Sequence, residues 1–255
     1  MAQKEFPILE FDEDRNAFIR PSQRLHPIDI AEGCVLCFFA EAVEKILVKY
    51  PYKLVKTLIS ESSRPPVYEL DYNGKRVVLV QAIVGAPLAA GQIEELTALG
   101  CRKYIACGGC GALQKEIAVG HLIIPTAAVR DEGTSYHYVE PSREISLNER
   151  VISVIAKTLT EQKVPYIKSK TWTTDAFYRE TPAKIQQRKA EGCVTVEMET
   201  SAYAAAAQYN GVDFGQILYA GDNLGGDVWD ERAWHDRSGI RAFVLQLALD
   251  VCIRL

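Results

Sequence analysis

The stretch "VTVEMETSAYAAAAQYNG", residues 194–211, decides how the rest of the chain is read. Val194, Thr195 and Val196 are β-branched and favour a strand. Glu199 to Asn210 favour a helix, with Thr200 and Ser201 in its first turn and Gly211 as its stop. A strand feeding directly into an alanine-rich helix is the repeating unit of a sheet covered by helices. Glu197 and Glu199 stand at the seam. Carboxylates are costly to desolvate at a strand end, so a pair there points to something that uses it.

Working outward, the same alternation recurs. "CVLCFF" reads as a strand and "AEAVEKILVKY" as a helix. "VYELDYNGKRVVLVQAIV" reads as a hairpin, because Asn73-Gly74 is a two-residue turn signal between strand-like runs. "APLAAGQIEELTALG" predicts a helix ending at Gly100, and "KYIAC" a short strand entering a glycine loop, "GGCG". "HLIIPTAAV", "IKSKTWTT" and "FGQILYAGD" predict further strands. "SLNERVISVIAKTLTEQ" predicts an amphipathic helix with a serine in its cap region, and a long final helix is expected from about Arg232. The fold class is α/β: one domain over residues 1–255, with a central twisted mixed sheet flanked by helices and an N-terminal extension, residues 1–30, packed on it.

The chain has 255 residues, a formal net charge of -4 and 48% hydrophobic residues, as expected of a globular protein with a sizeable core. No basic run stands out, so no nucleic-acid partner is expected. The acidic start "MAQKEFPILEFDEDRN" lacks a signal-type apolar core, and no segment has the apolar length of a membrane span. The expectation is a cytoplasmic protein with no membrane partner. Cys34/Cys37 and Cys107/Cys110 have C-x-x-C spacing, but Cys34 and Cys37 lie in an apolar run where a strand would point them to opposite faces. Buried reduced thiols fit better than a metal site, and none is expected.

In such sheets ligands gather beyond the carboxyl ends of the strands. That rule picks out "GGCGAL", "TTDAFYRE", "EMET" and "GDNLGGD". Gly108, Gly109 and Gly111 could form a tight turn or expose amides to a ligand. Asp222 past the apolar "ILYA" could be a general acid or a cap, and Asp175 shares that ambiguity. Phe177 and Tyr178 could wall a flat pocket or be core. Together these groups suit a polyol-bearing aromatic ligand such as a nucleoside, whose hydroxyls carboxylates accept and whose base aromatics stack on.

From about Cys34 onward the chain resembles the nucleoside phosphorylase/nucleosidase superfamily, which includes hexameric purine nucleoside phosphorylases, uridine phosphorylases and methylthioadenosine nucleosidases. "VEMET" resembles its Glu-Met-Glu ribose motif. "GGCGALQKEIAVGHLIIPTAAVRDEGTSYHY" resembles uridine phosphorylases, "TTDAFY" their base-site segment, and "GDNL" falls where purine-cleaving members carry Ser-Asp. The resemblance implies a partly barrel-like sheet, a homo-oligomer (a dimer or a hexamer of dimers), and no cofactor beyond inorganic phosphate as co-substrate. It implies that Glu199 holds the ribose hydroxyls, with Met198 against the sugar and Glu197 in the same ribose site. Phe177, Tyr178 and Val196 would contact the base, and Asp222 would protonate a purine at N7. Phosphorolysis of a purine nucleoside is the implied reaction.

The chain departs from the pattern at the phosphate end. "LCFFAEAVEKI" stands where the phosphorylases carry Gly-Asp-Pro and an arginine, and Ala106 and Gly109 replace another arginine and a hydroxyl. A phosphate dianion needs charge-assisted donors. Gly108 and Gly109 amides remain, and Arg64 could be lent by a neighbouring subunit. Glu41 lies within one position of the glutamate that activates water in nucleosidases, so hydrolysis is the alternative. A non-catalytic nucleoside sensor is the alternative of another class.

Overall fold

β5, Lys103–Ala112, is the strand around which the sheet is organised in the computed structural model, which describes residues 3–255. Along one edge it pairs in parallel with β1, Gly33–Cys37, from Gly33↔Lys103 to Cys37↔Cys107. Further along that edge Gly111 and Ala112 pair antiparallel with Val196 and Thr195 of β9, Cys193–Glu197. The opposite edge is taken by β10, Asp213–Asn223, in parallel along the length of β5. β10 also meets β6, Leu122–Asp131, antiparallel, while β8, Tyr166–Thr174, lies parallel to both β6 and β9. The ring β5-β10-β6-β8-β9 therefore closes, which is the barrel-like part of the sheet.

From β1 the sheet runs open through β4, Lys75–Gln81, and β3, Pro66–Tyr72, to β2, Tyr52–Thr57. The short β7, Glu144–Ser146, pairs with β6. Helices α1 Ala40–Lys49, α2 Ala86–Leu99, α3 Glu149–Glu161, α4 Pro182–Ala190, α5 Thr200–Asn210 and α6 Ser238–Cys252 cover the faces. Buried Val35 and Leu36 of β1, Tyr104 and Ile105 of β5, Ile93 and Leu96 of α2, and Leu245 and Leu249 of α6 belong to one continuous core. The expected α/β class, mixed sheet and flanking helices are all present.

The Asn73-Gly74 turn joins β3 to β4, with both residues at positive φ, as the hairpin reading required. Gly211 ends α5 in the left-handed conformation. Other expectations need correction. "GGCG" is no loop: Gly108 and Gly109 lie inside β5, paired with Leu218 and Tyr219. Glycine serves close packing there, since a Cβ at Gly108 would stand 2.9 Å from the Phe38 ring and one at Gly111 2.6 Å from Leu224. α3 is capped by Asn148, whose side chain accepts from the Arg150 and Val151 amides, rather than by a serine. The final helix starts at Ser238, because Arg232 and Ala233 adopt positive φ and break the run. β2 and α4 escaped the sequence reading.

Residues 3–30 lie over the body. The Ile28 amide donates to the Leu99 carbonyl, and the Arg15 guanidinium stands 4.8 Å from the Tyr209 ring centroid. All seven cysteines are buried and free of disulfides. Burial raises the Cys34, Cys107 and Cys110 thiols well above their ordinary range, which fits inert packing. Among the described residues no His, Cys, Asp or Glu cluster could hold a metal ion, and no helix is long and apolar enough to cross a membrane.

Candidate active site

The β9–α5 junction carries both carboxylates, in different states. Glu197 is buried at the end of β9, and Oε2 accepts from the Glu199 amide at 2.8 Å and the Thr200 amide at 2.7 Å. Oε1 accepts from Thr173 Oγ1 at 2.6 Å and from Thr171 Oγ1 at 3.5 Å. The first amides of α5 would otherwise lack partners, so this carboxylate caps the helix with a side chain from the preceding strand. Thr173 Oγ1 also accepts from the Ser201 amide at 3.1 Å, tying β8 into the same cap. Burial pushes the Glu197 carboxyl up, while these donors pull it back. Glu197 thus holds the junction, and its acceptor sites point at protein donors.

Glu199 occupies the N-cap position of α5 but makes no side-chain cap bond. Its Oε1 turns the other way and accepts from the Gly85 amide at 2.7 Å. Burial raises this carboxyl to about 8, and the Glu197 charge adds to the rise. A buried carboxyl displaced that far is poised for an added donor, and hydroxyl pairs of a sugar are such donors. Met198 lies between the two glutamates, half-buried, and Val196 is buried one step before them.

Asp222 stands near the end of β10. Its Oδ2 accepts from the Trp229 indole N–H at 2.8 Å, and its Oδ1 lies 3.4 Å from where a Cβ of Gly111 would be. Val196 and Leu224 border that same point, at 3.0 and 2.6 Å. The strand ends of β5, β9 and β10 thus bring Val196 and Asp222 together across Gly111. Glu180, which the sequence reading passed over as a site residue, follows the 3-10 turn Phe177–Arg179 after β8. Burial, with the Asp222 charge adding, raises its carboxyl to about 7. Phe177 and Tyr178 pack against each other at 4.1 Å between centroids with their planes tilted by 42°, and both are exposed, so neither is core. Asp175 accepts from the Gly133 amide at 2.8 Å, which makes it a loop tie.

The β1–α1 side of the same strands is different in kind. The Phe38 ring lies against Gly108, and the Tyr219 ring lies 3.4 Å from the Cβ position of Gly109. Glu41, in the first turn of α1, is paired with Arg241 of α6 at 3.0 Å. Arg241 also donates to the Tyr219 hydroxyl and the Trp234 carbonyl, so it brings a guanidinium next to the β5–β10 strands. No local motif marks Arg241, which is why sequence reasoning missed it. Arg64 is exposed in the loop between β2 and β3, and His137 is exposed on the surface. A cleft of about 320 Å³ between Ser146–Asn148 and α5 lies apart from these carboxylates and carries no titratable side chain.

Residues 33–248 match the sequence pattern of the phosphorylase superfamily. A guanosine phosphorylase from Halorubrum lacusprofundi is 26% identical over 180 residues, 68% of this chain and 75% of that protein. A DeoD-type purine nucleoside phosphorylase from Caldanaerobacter subterraneus subsp. tengcongensis is 32% identical over 163 residues, 60% of this chain and 67% of that protein. In three dimensions, a uridine phosphorylase from Vibrio fischeri superimposes with a TM-score of 0.75 at 23% identity, covering 89% of this chain and 94% of that one.

Proposed function

The chain belongs to the phosphorylase superfamily, and on that premise we propose that it cleaves the N-glycosidic bond of purine nucleosides by phosphorolysis, releasing free base and ribose 1-phosphate. It is an enzyme of the nucleoside phosphorylase type, a pentosyl-transferring class. The observation that carries the reading is the buried Glu199 carboxyl beside the Gly85 amide, one strand away from Asp222.

In this reading Glu199 accepts the ribose 2′- and 3′-hydroxyls while Glu197 fixes the helix that presents it. Met198 packs on the sugar. Val196, Phe177 and Tyr178 border the base, and Asp222 supplies a proton to the leaving purine. Protonating the base offsets the negative charge that develops as the bond to C1′ breaks. The phosphate oxygen attacks C1′ from the opposite face. The Gly108–Gly109 segment lies at that end, and Arg64 would serve a neighbouring copy in a homo-oligomer. A cytoplasmic setting fits this chemistry.

A specific observation supports hydrolysis as the second reading. Phe38 covers Gly108, the segment 37–45 contains no arginine, and the guanidinium that reaches this end, Arg241, is already engaged by Glu41, Tyr219 and the Trp234 carbonyl. Glu41 would then be the base for water, although its carboxylate is engaged by Arg241.

Incubation with inosine, adenosine, uridine and methylthioadenosine, with and without phosphate, tests both. Phosphate-dependent release of purine with ribose 1-phosphate is the expected result. Release of free ribose without phosphate would replace phosphorolysis by hydrolysis. Cleavage of uridine alone would overturn the purine assignment, and tight binding without turnover would make the chain a sensor.

A further inference from the structure

The first turn of α5 is tied to the ends of four strands. Glu197 of β9 takes the Glu199 and Thr200 amides, and Thr173 of β8 takes the Ser201 amide. Thr200 Oγ1 donates to Gln216 Oε1 of β10 at 2.7 Å. The fourth tie comes from just past the end of β6, where Glu132 Oε1 accepts from Ser201 Oγ at 2.9 Å. Both partners of that last bond are buried.

The loop that carries Glu132 is itself held. Oε2 accepts from the Thr134 amide at 2.6 Å and the Ser135 amide at 3.0 Å, and Oε1 also accepts from Ser135 Oγ. Ser135 Oγ accepts in turn from Nε of the buried Arg130 at 2.9 Å, which sets a guanidinium one hydroxyl away from the carboxylate. The Gly133 amide donates to Asp175 at 2.8 Å, and the Ile8 side chain stands 3.8 Å from where a Cβ of Gly133 would be. Glu132 therefore grips α5 from a fixed point.

Ser201 is an unfavourable residue for its place. The helix goes on through Ala202, Tyr203 and four alanines, and an alanine at 201 would propagate it better with no buried hydroxyl to satisfy. A serine there, bonded to a carboxylate 69 residues away in sequence, has a use other than helix formation. Glu199 supplies that use. It occupies the N-cap position without capping the helix with its own side chain, so its direction follows from how the first turn is held.

We propose that Glu132 is a positioning residue for the sugar-facing carboxylate: through Ser201 it fixes the start of α5 and with it the direction of Glu199. This rests on the reading of Glu199 as the acceptor of the ribose hydroxyls, whatever the base. Glu197 takes amides, which point along the helix axis, and so fixes how far the helix reaches. Glu132 takes a side chain, which projects from one face, and so fixes the rotation of the helix about that axis. Its negative charge also stands at the favourable end of the helix dipole.

The test compares wild type, Ser201→Ala, Glu199→Gln and the double variant by steady-state kinetics with phosphate, on whichever of inosine, adenosine and uridine is cleaved fastest. Ser201→Ala cuts the tie and leaves Glu132 its other three donors, so the fold is expected to hold. KM for the nucleoside is expected to rise roughly three- to tenfold, the scale of one hydrogen bond to a charged group passed on in part, with kcat within about twofold. On the Glu199→Gln background the same change is expected to alter kcat/KM by less than about twofold, because the group it positions has lost its charge. Equal losses on both backgrounds overturn the proposal. So does a lowered Tm with KM unchanged, which is the mark of a purely structural bond. Glu132→Gln is the second variant: KM is expected to rise in the same direction, with less than about a further twofold on adding Ser201→Ala. Where Glu132→Gln does not fold, the Ser201→Ala comparison decides alone. If wild type cleaves none of the three nucleosides, or Glu199→Gln matches it, the function reading fails separately, and hydrogen exchange across residues 197–203 then judges the tie. Exchange roughly tenfold faster in Ser201→Ala is expected, the scale of one hydrogen bond, and unchanged exchange overturns the proposal.

Discussion

The β9–α5 junction and the β1–α1 side of this sheet differ in how they treat charge. At the β9–α5 junction both carboxylates are answered by protein donors: Glu197 takes two amides and two threonine hydroxyls, and Glu199 takes the Gly85 amide. On the β1–α1 side, β1 ends at Cys37, the register partner of Cys107 in the middle of β5, with Phe38 laid on Gly108. The nearest guanidinium described there, Arg241, already serves Glu41, Tyr219 and the Trp234 carbonyl. The carboxylates of the β9–α5 junction are held by backbone amides and threonine hydroxyls, whereas the one beside β1 and α1, Glu41, is held by a guanidinium.

Substitution of Glu199 should break the comparison hardest. Glu199→Gln keeps size and loses the charge-assisted acceptor. Activity should fall roughly ten- to hundredfold or more, the value of one or two hydrogen bonds to a charged group, with an unchanged far-UV spectrum. Steady-state rates on the best substrate measure this, and an unaltered kcat/KM would remove Glu199 from the sugar.

Thr173→Val tests the support rather than the ligand contact. It removes the 2.6 Å donor to Glu197 and leaves the Ser201 amide without its acceptor. A loss of about 1–3 kcal/mol in unfolding free energy is expected, read from urea melts. The opposite end should be more forgiving. Gly109→Ser places its Cβ at an ordinary contact, 3.4 Å from Tyr219, and returns a hydroxyl to a position that lacks one. Stability should hold while KM for phosphate drops roughly two- to tenfold, the scale of one added hydrogen bond. Unchanged phosphate dependence would place the anion elsewhere.

The contrast also explains what the sequence disclosed. "VEMET" was legible because strand and helix propensities meet there and the carboxylates sit at the joint. The Asn73-Gly74 hairpin and the Gly211 stop were legible because left-handed backbone selects its residues. The glycines of β5 misled, because in sequence a glycine that admits a neighbouring ring looks like one that turns the chain. Only tertiary contact with Phe38, Tyr219 and Leu224 separates the two. Arg241 lies 200 residues from Glu41, so no local pattern could join them. Glu180 just after "DAFY" was passed over because its burial, which raises its carboxyl to about 7, is set by the fold and not by its neighbours in sequence.

The smallest effect concerns the ligand-free protein. Glu199 and Glu180 are raised from 4.5 to about 8 and about 7. The native state therefore holds protons that the unfolded chain has released, and stability must fall as pH rises between the unfolded and folded values. Their contribution is full below 4.5 and lost as pH passes through 7 to 8. Glu69 and Glu191 shift the opposite way, held down by Arg76, Lys53, Arg143 and Arg188, so their contribution is lost only on acidification below 4.5. The two groups act in separate windows. Thermal melts from pH 5.5 to 8.5 should show a Tm that declines toward the alkaline side, and Glu199→Gln should flatten the decline. On the proposed function, a saturating nucleoside should flatten it as well, because hydroxyls donating to Glu199 would stabilise its ionised carboxylate. A slope unaffected by either change would mean that the ribose end, however well ordered, is not where the protein stores its protons.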